Sequence, residues 1–459
     1  MTIDKKIVLI GAGSAMFGPP TLNDLFHSKI LPGSTIVLVD IDIEKLSIVY
    51  DIVVQENKMR EEQFNIEMTT DRKKAIKNAD FVICSIEHGD RFKFRWQDHK
   101  IPHKYGTTEM MGENGGPGGF FHSARQIPEI VKIAKDVYSS NPHAFFINYS
   151  NPISRICLAI NRAVPNLKLI GLCHQINLIL KDIPYIVDDS IQGVDLPSSE
   201  KKLRFQESLS NIKITVGGLN HFAFIIGLDN ISTGENLMSK FNERIMDYYK
   251  DKWDRFCFAD LTFEFYKRFG LFPYVGDNHL CEFVQFGSEY TKYQDFTDWI
   301  ENMEQGKKGM NDKFLRYHKR LKKGNYPKKG VLTTEYTGER AGAIIEEIIE
   351  DKNAYEIVNI PNDGIIQNLP HDLIIECSGI VNKEGVHGVK LGNIPKSIAT
   401  LLRIEASIQD VCVDAILRES KDLAIASIAM DVNCGNFEIA DKIYNEVYEF
   451  QKEYLPKFK

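Results

Sequence analysis

The chain has 459 residues, 43% hydrophobic and 26% charged, an ordinary globular composition with roughly two to three domains' worth of core. A net charge of −7 and a pI near 6.0 leave no basic footprint, which argues against a nucleic-acid partner. No apolar run approaches the roughly 18 residues of a membrane span, the start leads into a strand with no signal-peptide core, and the cysteines form no CxxC pair. No membrane partner, reduced thiols and a cytoplasmic location are therefore expected.

The first element is a β-branched run, Lys6–Ile10, followed at once by Gly11-Ala12-Gly13-Ser14-Ala15-Met16-Phe17-Gly18 and a helical stretch over Thr21–Ser28. Strand, glycine turn and helix match the opening of a dinucleotide-binding βαβ unit. Gly11 permits the tight turn, Gly13 lets the backbone approach a pyrophosphate, and Ser14 stands at the same helix start. The third glycine position holds Met16, with Gly18 two residues later. The next run, Ser34–Asp40, reads as a buried strand ending in Asp40, about twenty residues past Gly18, where a carboxylate binds ribose hydroxyls and favours NAD over NADP. Asp42 is a second candidate for the ribose, or the cap of a helix from Glu44 onward.

Asp80–Ile86 is a further strand ending in Glu87-His88-Gly89, and Trp96–His103 looks helical. The glycine-dense stretch Tyr105–Gly119 reads as a lid whose backbone approaches a ligand closely. After a helix over Phe120–Ser139, the strand Ala144–Ser150 delivers Asn148-Tyr149-Ser150-Asn151-Pro152. Its amides either contact a sugar or ribose or form an Asx-turn. Glu87 and Asn148, at the same sheet edge, join the candidate cofactor contacts.

Leu167–Leu172 reads as a strand whose carboxyl end presents Cys173 and His174, and Leu219-Asn220-His221-Phe222 supplies another imidazole. Cys173 and His221 are the candidate ligands of one divalent metal beside the nicotinamide. A lone buried cysteine is more often a small hydrophobe, and His174 is either a substrate donor or an interior histidine.

From about Ser198 the pattern changes. Lys213–Val216 and Phe222–Leu228 read as strands, helices dominate from Gly234, and Gly270–Glu282 interrupts them with Tyr274, Asp277, His279 and Glu282. Lys307–Lys329 is a lysine-rich solvated segment; Ile357–Ile360, Asp363–Leu369 and Asp372–Ser378 read as short strands; Ser397–Tyr454 is helical. The expected fold class is α/β. A Rossmann-like NAD-binding domain spans 1–198, and a mixed α+β substrate-binding and oligomerisation domain spans 199–459.

In this order, Gly11-Ala12-Gly13-Ser14, Gly116-Pro117-Gly118-Gly119, Asn148 to Pro152, Cys173-His174, Gly218 to His221, Gly276 to His279 and Asn362-Asp363-Gly364 resemble glycoside hydrolase family 4. These are NAD- and divalent-metal-dependent glycosidases, outside the usual two-carboxylate scheme. The resemblance implies oxidation at sugar C3 by NAD⁺, deprotonation at C2, elimination of the leaving group, water addition and re-reduction, with the metal, Mn²⁺ by preference, polarising the C3 oxygen. It implies Cys173 and His221 as metal ligands, Asn151 and His174 as substrate contacts, Asp277 or in reserve Tyr274 as the C2 base, and Glu113 as the leaving-group acid. Cys-His at positions 173–174 is similar to members acting on unphosphorylated α-galactosides, α-glucosides or α-uronides. His122 and Asn278 stand where some relatives carry arginine, which weakens the uronide reading. A homodimer or homotetramer is implied. The competing reading of the first half is a 2-hydroxy acid dehydrogenase of lactate/malate type, which has no use for a cysteine ligand.

Overall fold

The computed structural model describes residues 3–14, 17–61, 63–191, 198–250, 252, 258–291, 295–326, 330–332 and 338–459. Met16, at the third glycine position, and Cys257, Lys328 and Lys329 lie outside them. Ile7 and Leu9 join one apolar cluster while Val8 and Ile10 join the other, and Ile36/Leu38 against Val37/Val39 repeat the alternation. Strands that bury both faces read as unbroken apolar runs, which is why these segments show no polar alternation.

The strands are β1 (Lys6–Ile10), β2 (Thr35–Val39), β3 (Asn65–Thr69), β4 (Phe81–Cys84), β5 (Phe145–Asn148), β6 (Lys168–Gly171), β7 (Ile212–Leu219), β8 (Phe222–Asn230), β9 (Ala354–Pro361), β10 (Ile374–Asn382) and β11 (Gly385–Gly388). Their order is β3-β2-β1-β4-β5-β6-β9-β10-β7-β8, with β11 on β10. The first six are parallel, in the 3-2-1-4-5-6 order of the dinucleotide-binding fold. The rest are antiparallel and join the parallel set through one pair, Gly171 with Asn359. The carboxyl ends of β1, β4, β5 and β6 thus share one edge, which carries Gly11, Glu87, Asn151 and Cys173.

Helix starts follow local chemistry. Asp42 caps the helix Ile43–Lys58 by accepting from Lys45 N–H at 3.1 Å, the role weighed for it against ribose binding. The last helices, Lys396–Arg418, Lys421–Met430 and Phe437–Gln451, return to the dinucleotide half. Cys412, Ile443 and Val447 share a cluster with Phe120, Phe121 and Ile127. Arg125, fully buried, clamps Asp98 with bonds of 3.1 and 2.5 Å and also donates to Gln451 at 2.5 Å.

Two expectations are corrected here. Gly116–Gly119 is not lid but the first turn of the helix Gly116–Ser140, started by Pro117 and wholly buried. Its glycines accommodate protein atoms rather than a ligand: a Cβ on Gly118 would stand 2.7 Å from the Asp98 carbonyl oxygen. Asp363–Leu369 is a turn, not a strand. It is wrapped around the Asn362 side chain, which donates to the carbonyls of Ile366 and Pro370 and accepts from Ile366 N–H. Among the described residues no helix is long and apolar enough to cross a membrane, and no cysteine is in a disulfide.

Candidate active site

The glycine turn after β1 has the shape a pyrophosphate cradle needs. Gly11 has φ +92°, and a Cβ there would fall 1.9 Å from the Ser85 carbonyl oxygen. Gly13 N–H donates to Asp40 Oδ2 at 2.9 Å, and a Cβ on Gly13 would meet that carboxylate at 2.8 Å. Ser14 N–H closes the turn on the Gly11 carbonyl, and Gly18 N–H donates to Ser14 O at 3.0 Å. Gly18 takes up the close contact expected of the third glycine: its Cβ would lie 2.5 Å from the Ala12 oxygen. Asp40, with Oδ1 accepting from Asp42 N–H, ends β2 beside this cradle.

The other cofactor candidates differ in what holds them. Glu87 accepts from Gln126 Nε2 at 2.7 Å and stands 3.3 Å from His122 Nε2. Burial would raise its carboxyl, but His122, Arg91 and Arg125 hold it at about 2. Asn148 is fully buried, with its amide turned back on Ser150: Nδ2 donates to the Ser150 carbonyl and Oδ1 accepts from Ser150 N–H. That is the Asx-turn alternative.

Cys173 and His221 meet. Sγ stands 3.3 Å from Nε2, with Gln175 N–H donating to the sulfur at 3.4 Å. His221 is the second residue of the two-residue turn Asn220-His221 between β7 and β8, whose strands close on the pair Leu219–Phe222. It holds φ +60°, a region that non-glycine residues seldom occupy and that concentrates at functional sites. Burial, then His279, keep its imidazole well below the ordinary value, so the ring is neutral, as a metal-binding imidazole must be. Burial, then Glu376, push the Cys173 thiol up to about 12. A divalent cation bound to the thiolate would displace that proton, so uptake at this pair would be coupled to proton release. Sulfur and imidazole nitrogen suit a transition-metal ion. Among the described residues no third His, Cys, Asp or Glu joins the pair in a cluster.

Asn151 Oδ1 is buried and has no hydrogen-bond partner among the described residues. His174 is exposed, so the interior-histidine alternative does not hold.

The acid and base candidates fare unequally. Glu113 lies 3.2 Å from the Arg95 guanidinium and 4.0 Å from Arg91. Burial would raise its carboxyl, but Arg95, His279 and Arg91 hold it well below the usual range. A leaving-group acid needs the reverse shift, so in the chain alone Glu113 stands ionised. Asp277 is fully buried and serves the start of the helix Asp260–Phe269: it accepts from the N–H groups of Ala259, Leu261 and Thr262 at 3.2, 2.8 and 3.0 Å and from the Thr262 hydroxyl at 2.5 Å. Tyr274, also fully buried, donates its hydroxyl to Glu376 Oε1 through a short bond. Glu376 also accepts from Asn220 Nδ2 at 2.6 Å and Asn359 Nδ2 at 3.1 Å. Burial, then Glu376, raise the Tyr274 phenol, and burial raises Glu376 itself.

Glu376, Arg95 and Asn114 escaped the sequence reading. Each acts through a partner more than fifteen residues away or on another element. Glu376 sits inside an apolar strand, Ile374-Ile375-Glu376-Cys377, and a charge at such a position is a signal that was available.

A parallel 3-2-1-4-5-6 sheet with a glycine turn after its first strand, and a sulfur–imidazole pair at the same edge, define an α/β protein of the dinucleotide-binding class. A family model described as Family 4 glycosyl hydrolase matches residues 6–188, and another, described as Family 4 glycosyl hydrolase C-terminal domain, matches residues 216–434. The sequence is 32% identical to an alpha-glucosidase of Erwinia rhapontici, over 93% of each chain. It is 26% identical to an alpha-galacturonidase of Thermoanaerobacter italicus, over 98% of this chain and 97% of the relative. The fold matches that of a 6-phospho-alpha-glucosidase from gut microorganisms, solved in complex with NAD and Mn2+, with a TM-score of 0.84 and 20% identity over the whole of both chains. The chain belongs to the family 4 glycosyl hydrolases. That membership favours a glycosidase over the 2-hydroxy acid dehydrogenase alternative.

Proposed function

We propose that this chain is an NAD- and Mn²⁺-dependent α-glycosidase of unphosphorylated hexosides, with α-glucosides the first class to test. The observation that carries this reading is the 3.3 Å approach of Cys173 Sγ to His221 Nε2 at the edge that also bears the glycine turn. What the two groups supply when bound is hydride acceptance from sugar C3 and Lewis-acid polarisation of the C3 oxygen, which together acidify the proton at C2.

The chain's own residues do the rest. Gly11, Gly13 and Ser14 hold the pyrophosphate, and Asp40 accepts the adenosine ribose hydroxyls while repelling a 2′-phosphate. The Cys173 thiolate and neutral His221 hold the cation. The partnerless Asn151 oxygen accepts from a sugar hydroxyl, and exposed His174 contacts the substrate. Tyr274 is the C2 base in this reading: burial and Glu376 raise its phenol in the chain alone, and the positive charge of a bound cation and of the nicotinamide would lower it, so that the hydroxyl proton could pass to Glu376 Oε1 before the C2 proton is taken. Glu113, ionised beside Arg95, accepts a hydrogen bond rather than protonating the leaving oxygen.

The test is hydrolysis of nitrophenyl α-glucoside, α-galactoside and α-galacturonide in D₂O with NAD⁺ and Mn²⁺. Solvent deuterium at C2 of the released sugar is the expected result, with no net NADH accumulation. Cleavage without label, or cleavage that persists once all NAD⁺ is removed, would overturn the reading.

A further inference from the structure

Glu282 is a fully buried carboxylate with no part in the chemistry described so far. One oxygen, Oε2, accepts from three successive backbone N–H groups, those of Glu113, Asn114 and Gly115, at 2.7, 2.7 and 2.9 Å. The other, Oε1, is 2.8 Å from His279 Nδ1. The approach is so close that a Cβ on Gly115 would stand 2.6 Å from the Glu282 carbonyl oxygen. From the far side Asn433 Nδ2 donates to that same carbonyl at 2.9 Å.

Both things Glu282 grips lead to one ring. The Asn114 side chain hydrogen-bonds His221 Nδ1 at 2.8 Å. The His279 ring lies against the His221 ring, centroids 4.2 Å apart. The bond at Nδ1 decides which nitrogen of an imidazole keeps its lone pair. Asn114 can serve both states of His221. Its NH₂ donates to Nδ1 when Nε2 carries the proton. After a half-turn of the amide its carbonyl oxygen accepts from Nδ1–H, and the Nε2 lone pair then faces Cys173.

We propose that Glu282 is a positioning residue for His221: it fixes the 113–115 backbone so that Asn114 sets the orientation and tautomer of the metal-facing imidazole. The inference rests on the metal reading of Cys173 and His221 and deepens it. Partners that orient a ligating histidine affect metal affinity, and a carboxylate holding a loop for stability alone does not.

The experiment uses the full chain stripped of metal. Mn²⁺ is titrated by calorimetry, and the Co²⁺-loaded protein is read by its thiolate charge-transfer and d–d absorption. Glu282→Gln and Asn114→Ala are each expected to weaken Mn²⁺ binding by ~10- to 100-fold and to alter the cobalt spectrum, with NAD⁺ affinity unchanged. Asn114→Asp, which offers Nδ1–H only oxygen, is expected to keep tight Mn²⁺ binding. Wild-type Mn²⁺ affinity and cobalt spectrum in Asn114→Ala would overturn the proposal, and that variant decides the matter if Glu282→Gln fails to fold. Cys173→Ser separates the two levels. If it loses Mn²⁺ while Asn114→Ala and Glu282→Gln do not, the positioning role falls and the metal site stands; if it binds Mn²⁺ normally, both fall.

Discussion

Cys173 Sγ and His221 Nε2 approach to 3.3 Å across 48 residues of sequence. One sits just past the end of a parallel strand and the other in the turn of an antiparallel hairpin, so the pair exists only in the folded chain. Replacing Cys173 with serine exchanges a soft donor for a hard, protonated one. Mn²⁺ affinity is expected to fall on the order of 100-fold or more, with NAD⁺ binding retained. Calorimetric titrations of both ligands check it, and an unchanged Mn²⁺ isotherm would refute the ligand role.

Tyr274 and Asp277 are three residues apart and differ in what they hold. Tyr274→Phe removes one oxygen and is expected to lower kcat by ~10²- to 10⁴-fold and abolish C2–H exchange, leaving KM nearly unchanged. Asp277→Asn breaks up a carboxylate that receives three backbone N–H groups. Its expected effect is a loss of about 1–3 kcal/mol of stability in urea, with C2–H exchange preserved in the folded fraction. The opposite pattern would return the base role to Asp277.

Gly11→Ala sets a methyl group against the Ser85 carbonyl in a left-handed backbone. The turn must then shift or strain, at roughly 1–3 kcal/mol. Weaker NADH binding, read by fluorescence titration, should accompany a lower urea midpoint.

His99 stacks between Phe296 and His103, with ring centroids 3.8 and 4.0 Å away. Burial, then His103 and Arg95, lower its pKa from 6.5 to about 2. A histidine held neutral in the fold contributes stability that is present above the unfolded value and lost as pH falls below it, because only the unfolded chain takes up the proton. Below pH 6 this group alone should cost roughly 1.4 kcal/mol per pH unit. His99→Phe should flatten the decline between pH 7 and pH 5 in urea unfolding, and an unchanged slope would exclude His99 as its source.

Much of this was legible in the sequence because it depends on neighbours along the chain. A β-branched run before Gly11-Ala12-Gly13 fixes a turn, a second run ending at Asp40 places the carboxylate, and the strands Lys213–Val216 and Phe222–Leu228 are read on either side of Asn220-His221. Gly116–Gly119 misled because glycine density reads as loop, whereas Pro117 and packing against Asp98 and Glu109 make it a helix start. The strand assigned to Asp363–Leu369 failed because Asn362 captures the backbone groups a ladder would use. Glu282 was noted beside His279, but its grip on residues 113–115 spans more than 160 positions and no local pattern announces it.

The parallel and antiparallel parts of the sheet touch at Gly171 and Asn359, two residues before Cys173. A Cβ on Gly171 would stand 2.8 Å from the Asn359 Cβ, so the seam admits no side chain at that position. The seam therefore lies two residues from the Cys173–His221 pair. If the gene were cut between residues 198 and 199, one fragment would carry the sulfur and the other the imidazole. Reassembly of the two fragments in a test tube could then be followed by the return of Mn²⁺ retention alone, with no sugar present.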